Sequence, residues 1–162
     1  MVGLRAALMV MALGCVSSVN AAPEVTVTIS GTVLASPPCV INGDRLISAS
    51  FGDVQVDDID GSYKTIPIPY SLDCSRAVRN EVRMQVKGNP AGFLSSLLAV
   101  PGNTELGIAL KKDGAPFAIN TWSNFDASKR PVLQAVLTKR AQNSEIKNGT
   151  FSASATLMVD YR

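Results

Sequence analysis

Two long alternating segments, one near each end of the chain, constrain its fold more than any other feature. Near the C-terminus Phe151, Ala153, Ala155, Leu157, Val159 and Tyr161 alternate with Ser152, Ser154, Thr156, Met158, Asp160 and Arg162. Near the N-terminus Val25, Val27, Ile29, Gly31 and Val33 alternate with Glu24, Thr26, Thr28, Ser30 and Thr32. Period-two alternation of this length predicts a strand with one buried face. The N-terminal strand runs into Pro37-Pro38, so no tight hairpin joins it to the next element. A strand with an apolar face and no local partner is either captured by its own sheet from a distance or donated to another molecule. The residues alone leave both outcomes open.

The 162 residues suit one domain. Residues 1–21 read as a cleavable export signal: Arg5 is a short basic lead, Ala6 to Val16 is apolar but too short to span a bilayer, and Val19-Asn20-Ala21 precedes the cut. Leu13-Gly14-Cys15 loosely resembles a lipoprotein site, but Ala12 stands where a bulky aliphatic is wanted. No other segment is apolar enough to insert in a membrane. Losing the signal removes Arg5 and no acid, so the net charge falls from +2 to +1. A chain so nearly neutral has no field to steer nucleic acid, and Lys111-Lys112, Lys129-Arg130 and Lys139-Arg140 are dispersed. Cys15 leaves with the signal, and Cys39 and Cys74 remain as an even pair in an exported protein, which predicts a disulfide.

After the N-terminal segment the alternation predicts about six strands in the body. Leu46, Ile47 and Phe51 give the first, ending at Gly52-Asp53. Ile66, Ile68, Tyr70 and Leu72 alternate toward Cys74, with Pro67 and Pro69 confining that strand to an edge or a bulge. Val82, Met84 and Val86 stop at Gly88-Asn89-Pro90, and Leu106, Ile108 and Leu110 stop at Asp113-Gly114. Val132, Leu133, Ala135 and Leu137 precede a polar turn, and the C-terminal strand follows. The spacing of Phe93, Leu94, Leu97 and Leu98 predicts a short helix over the core. Short strands, turn signals and a disulfide predict an all-β sandwich.

Little here supports catalysis. The absence of histidine removes the commonest general base and the usual zinc set. Asp57-Asp58-Ile59-Asp60-Gly61 lacks the spacing and the distal glutamate of a calcium loop, so it reads as an acidic turn. Ser128 and Lys129 are adjacent, which does not by itself activate a hydroxyl. Asn148-Gly149-Thr150 fits a glycosylation sequon, and Trp122 among Thr121, Ser123 and Asn124 admits a sugar-stacking role or a place in the core or rim. No catalytic residue, metal or cofactor is expected.

The ordered set Val25 to Val33, then Pro37-Pro38-Cys39-Val40-Ile41-Asn42, Phe51-Gly52-Asp53-Val54, Cys74, Leu106-Gly107-Ile108-Ala109-Leu110, and Gly149 before the run to Tyr161 resembles the pilin subunits of chaperone–usher fimbriae. The Pro-Pro-Cys and Gly-Ile-Ala-Leu elements are most similar to minor tip subunits of P-type and type 1-like pili. The resemblance implies an incomplete immunoglobulin-like sandwich of six strands, with the seventh supplied in trans. Residues 22–34 would be an N-terminal extension serving as donor strand through Val25, Val27, Ile29, Gly31 and Val33, and residues 35–162 the pilin domain. The groove-edge strand, from Gly149 through Phe151, Ala153, Ala155, Leu157, Val159 and Tyr161 to Arg162, would be read by a periplasmic chaperone. The outer-membrane usher and neighbouring pilin subunits are the other implied partners, and the surface fimbria the destination. The alternative is a self-contained secreted β-sandwich that closes its sheet with its own N-terminal strand and binds carbohydrate.

Overall fold

The computed structural model describes residues 28–31 and 37–162. The signal, its cut and Cys15, and the donor positions Val25, Val27 and Val33, lie outside the described residues. The chain divides into two compact units, Met1–Leu34 and Ala35–Arg162. In the first, residues 28–31 have no regular secondary structure and Ile29 is exposed.

The second unit is a β-sandwich. Its strands are β1 (Val40–Ile41), β2 (Ile66–Pro67), β3 (Leu72–Asp73), β4 (Glu81–Lys87), β5 (Pro90–Ala91), β6 (Leu94–Val100), β7 (Asn103–Lys112), β8 (Ala115–Phe117), β9 (Ser123–Asp126), β10 (Leu133–Lys139) and β11 (Thr156–Tyr161). One sheet runs β2-β10-β7-β6-β5, with β8 also paired to β7. The opposing sheet is β11-β4-β9, and β1 pairs β3 separately. All these pairings are antiparallel.

Alternation explains why the layers meet. On β4, Val82, Met84 and Val86 are buried while Glu81 and Lys87 are exposed. From the other sheet Leu106, Ile108 and Leu110 on β7 and Leu133, Ala135 and Leu137 on β10 join Met84 and Val86 in one core cluster. Two hairpins follow from local turn chemistry. Pro101-Gly102 links β6 to β7, with Gly102 at φ +83, the left-handed backbone a type II turn requires at its third position. Asp113-Gly114 links β7 to β8 with both φ positive, as in the two-residue turn that matches strand twist.

Several elements differ from the sequence reading. Phe93 to Leu98 form no helix: Leu94–Val100 is the strand β6, held between β5 and β7. Register shifts at Pro90/Ala91 and Ala99/Val100 accompany this strand. Leu97 and Leu98 are both buried, so the alternation is interrupted and the spacing mimics a helix. The first body strand, expected over Leu46, Ile47 and Phe51, has no ladder. Residues 45–51 are irregular, Leu46 is exposed, and Ile47 and Phe51 pack on the core by side chain alone. The strand expected over Ile66 to Leu72 is two short pieces, β2 and β3, separated by a stretch containing Pro69. Among the described residues there are eleven strands, where about six were expected.

Candidate strand-accepting groove

Cys39 and Cys74, with Cα atoms 4.1 Å apart, are joined as a disulfide. The bond sits beside the β1–β3 pair, where Val40 faces Asp73, and so fixes the start of the segment that continues to Phe51. That segment forms one lip of a mostly apolar groove. Ile41, Leu46, Ile47, Ala49 and Phe51 line it on this side together with the charged Asp44 and Arg45, and Ala153, Ala155, Thr156 and Leu157 line the other. Its floor is the sandwich core: Ile66, Ile68, Val86, Leu98, Ile108, Leu110, Leu133 and Ala135. The groove has a volume of about 410 Å³. Core side chains that reach an open groove are the pattern expected of an interaction surface.

Backbone register shows what the C-terminal lip offers. Arg162 N–H donates to the Glu81 carbonyl at 3.2 Å, so even-numbered residues at this end direct their backbone groups toward β4. On β4, Val86 accepts from Asn120 N–H at 2.8 Å and Asn80 from Ala127 N–H at 2.8 Å, so its even residues face the opposite side, toward β9. With Thr156 opposite Lys87, Met158 opposite Gln85 and Asp160 opposite Arg83, those three pairs exchange the hydrogen bonds of the ladder. Leu157 and Val159 therefore point N–H and C=O away from β4. Among the described residues no strand pairs with that edge. The side chains of Leu157 and Val159 lie against the core. One edge thus presents main-chain donors and acceptors directly above an apolar floor, the combination that strand addition uses.

Small residues shape the floor. A Cβ at Gly88 would come within 2.5 Å of Leu98 Cδ1 and 3.3 Å of Ala155 Cβ, so glycine lets Ala155 and Leu98 close on one another. Asn120 holds that glycine from the far side, its Oδ1 accepting from Gly88 N–H at 3.1 Å and its Nδ2 donating to Gly88 C=O at 2.9 Å. Beyond the groove lies a second cavity of about 280 Å³, lined by Val54, Ile59, Leu106, Ile146, Gly149 and Phe151 among others. Gly149 has φ +133.

The structure places the remaining predicted residues as follows. Phe151 and Ala153 pack on the core but precede the ladder, which spans only Thr156–Tyr161. Tyr161 Oη accepts from Val78 N–H at 3.2 Å, and the Arg79 guanidinium lies 5.5 Å from its ring centre. Asp60 caps a turn, accepting from Ser62 N–H, Ser62 Oγ and Tyr63 N–H, each at 2.8 Å. These bonds, led by that from Tyr63, pull its carboxyl down to about 2. Among the described residues no cluster of three or more acidic, cysteine or histidine side chains is placed to hold a metal. Trp122 is part-buried, with the Arg83 guanidinium 4.6 Å from its ring centre. The same guanidinium donates to Asp160 at 2.8 Å, a bond that lowers the Asp160 carboxyl below its ordinary range.

The family model for fimbrial protein matches residues 27–162. The chain belongs to the fimbrial protein family. It is 36% identical over 161 residues to the fimbrial-like protein YfcQ of Escherichia coli, covering 94% of this chain and 97% of that one. Among solved structures it is similar to the P pilus rod subunit PapA (TM-score 0.62, 21% identity, 77% of this chain and 99% of that one). It is also similar to the P pilus adaptor subunit PapF (TM-score 0.58, 24% identity, 78% and 97%). The fold is thus the all-β, immunoglobulin-like sandwich of pilin subunits. A fimbrial protein of this kind is a structural subunit of a surface fibre, contacted by neighbouring subunits, and not an enzyme. No described helix is long and apolar enough to cross a membrane.

Sequence reasoning missed the first lip's lack of a ladder, the Arg83–Trp122–Asp160 cluster and the role of Gly88. Asp113-Gly114 between Lys112 and Ala115 was a signal for the β7–β8 hairpin. Nothing local marks Arg83, whose partners lie 39 and 77 positions away in sequence.

Proposed function

We propose that this fimbrial protein is a subunit of a chaperone–usher pilus that polymerises by donor-strand exchange. The groove accepts a strand, first from a periplasmic chaperone and then, at the outer-membrane usher, from the N-terminal extension of the next subunit. Its own residues 22–34 are donated in turn to the subunit assembled before it. The observation that carries this reading is the edge of β11, which no strand among the described residues pairs, above a mostly apolar groove that opens onto the core. An incoming strand gains main-chain hydrogen bonds along that edge, while alternate side chains enter the groove and set register. Burying Val25, Val27, Ile29 and Val33 of a donor stabilises the pair by about 1.5–3 kcal/mol each, as an upper estimate.

We place the subunit as a minor adaptor near the tip, contributing to adhesion as part of the assembled fimbria. The Pro37-Pro38-Cys39 and Gly107-Ile108-Ala109-Leu110 elements favour that position. The fold likeness extends equally to a rod and an adaptor subunit and does not discriminate between them.

The test is recovery of a chaperone complex from the periplasm. Tyr161→Ala, or removal of Tyr161 and Arg162, is expected to abolish the co-purifying chaperone, because the end of the C-terminal strand and the carboxylate of Arg162 are what the chaperone reads. Unchanged recovery would refute the assignment of β11 as the recognition strand.

A further inference from the structure

The two facing sheets leave five free edges among the described residues: β2, β5 and β8 on the larger, β9 and β11 on the smaller. Four of them are short of the donors or acceptors that a further strand needs. Ile68 N–H donates to Leu133 C=O at 2.9 Å, so Ile66 and Ile68 face β10 while positions 67 and 69 face outward. Both outward positions are proline, which has no N–H to give. On β5, Asn89 C=O accepts from Ala99 N–H at 2.8 Å, which turns the next residue, Pro90, outward. The residues flanking the Asp113-Gly114 turn, Lys112 and Ala115, face each other, so the outward position of β8 is Pro116. All four prolines are exposed. Proline is tolerated in a sheet only at such places, but tolerance does not explain why every free edge of the larger sheet carries one. The β9 edge is short of acceptors instead. Its Ser123 and Phe125 face β4, and of the outward pair Asn124 C=O accepts from Lys112 Nζ and Asp126 C=O from Lys129 N–H, each at 2.9 Å. The β11 edge carries neither device. No proline occurs from Gly149 to Arg162, and the outward groups of Leu157 and Val159 meet no strand among the described residues.

We propose that Pro67, Pro69, Pro90, Pro116 and Lys112 determine where a strand can add: they deny every edge of the two sheets except β11. This rests on the strand-accepting reading above. The need arises from the chain itself, because each copy brings an alternating segment, Val25 to Val33, that would add to any complete edge. A strand laid along β2 meets two prolines where its own carbonyls need donors. A strand laid along β9 has to compete with Lys112 and Lys129 for the carbonyls they hold. With addition confined to β11, each subunit takes one strand and gives one, and the fibre grows without branches.

The test opens one of the closed edges while β11 is occupied. Pro67→Val combined with Pro69→Val returns two outward N–H donors to β2, in a residue type suited to strands. The full-length variant is purified with its periplasmic chaperone, and the mass of the complex is followed by light scattering over a concentration series. At concentrations where the wild type is a single chaperone-bound subunit, the variant is expected to form species of twice that mass and above. Deleting residues 24–33 from the variant should return it to the single complex, because that segment is the strand that adds. Should the double variant not be recovered, Lys112→Met, which keeps the apolar stem and frees the Asn124 carbonyl, carries the same expectation at β9. A recovered variant that stays single across the series, or one that associates equally without residues 24–33, overturns the proposal and leaves the groove's function standing. A wild-type subunit that co-purifies with no chaperone overturns the strand-accepting reading itself.

Discussion

Cys39 and Cys74 illustrate how much chemistry two residues can declare on their own. Parity in an exported chain was enough to expect the bond, and the structure joins residues 35 positions apart. Closing a loop of that length stabilises the fold by about 3–4 kcal/mol in the chain-entropy account. Cys39→Ser is accordingly expected to cost about 2–5 kcal/mol in denaturant unfolding, and to lower the yield of any chaperone complex. Asp60 shows a different kind of local legibility, since Asp-Gly-Ser in sequence already suggests a turn capped by a carboxylate. Its folded pKa is depressed to about 2. The stabilisation it gives is therefore present above the ordinary carboxylate value of about 4 and is lost as pH falls toward 2. Asp60→Asn keeps an acceptor oxygen but no titration, so its melting temperature should change less between pH 4 and pH 2 than that of the wild type. An identical drop in both proteins would remove Asp60 from the acid response. Arg83 marks the limit of residue-level reading: it stacks on Trp122 and pairs with Asp160, and that meeting exists only once β4, β9 and β11 are assembled.

Elements were legible where alternation was uninterrupted. The cores of β4, β7 and β10 lie where Val82 to Val86, Leu106 to Leu110 and Leu133 to Leu137 put them, while of the C-terminal run only Thr156–Tyr161 forms a strand. Prediction failed where alternation is broken by tertiary structure. At β6 the register shifts hide a strand behind helical spacing, and its two neighbours decide its form. At residues 45–51 Ile47 and Phe51 reach the core while Leu46 stays exposed, yet among the described residues no neighbouring strand offers hydrogen bonds, and side-chain pattern carries no information about that. The register of β11 leads to a prediction at this scale. The amides of Met158 and Asp160 face β4 and should resist hydrogen exchange in the unloaded subunit, whereas those of Leu157 and Val159 face outward and should exchange fast. On strand addition Leu157 and Val159 should become protected. Protection of all four amides before any strand is added would contradict the register argument.

For the whole molecule, the account makes one chain both a giver and a receiver of strands. The proposed receiving half is the groove between residues 41–51 and 153–157, floored by the core. The giving half rests on the alternation of Val25, Val27, Ile29, Gly31 and Val33. These halves separate in a single experiment: delete residues 24–33 and assay both chaperone co-purification and attachment to the preceding subunit by strand exchange in vitro. Because the groove belongs to Ala35–Arg162, the truncated protein should still purify with its chaperone and still accept a strand, yet be unable to attach to the subunit before it. Loss of the chaperone complex together with attachment would mean that the N-terminal strand closes the protein's own sheet, and would contradict the account.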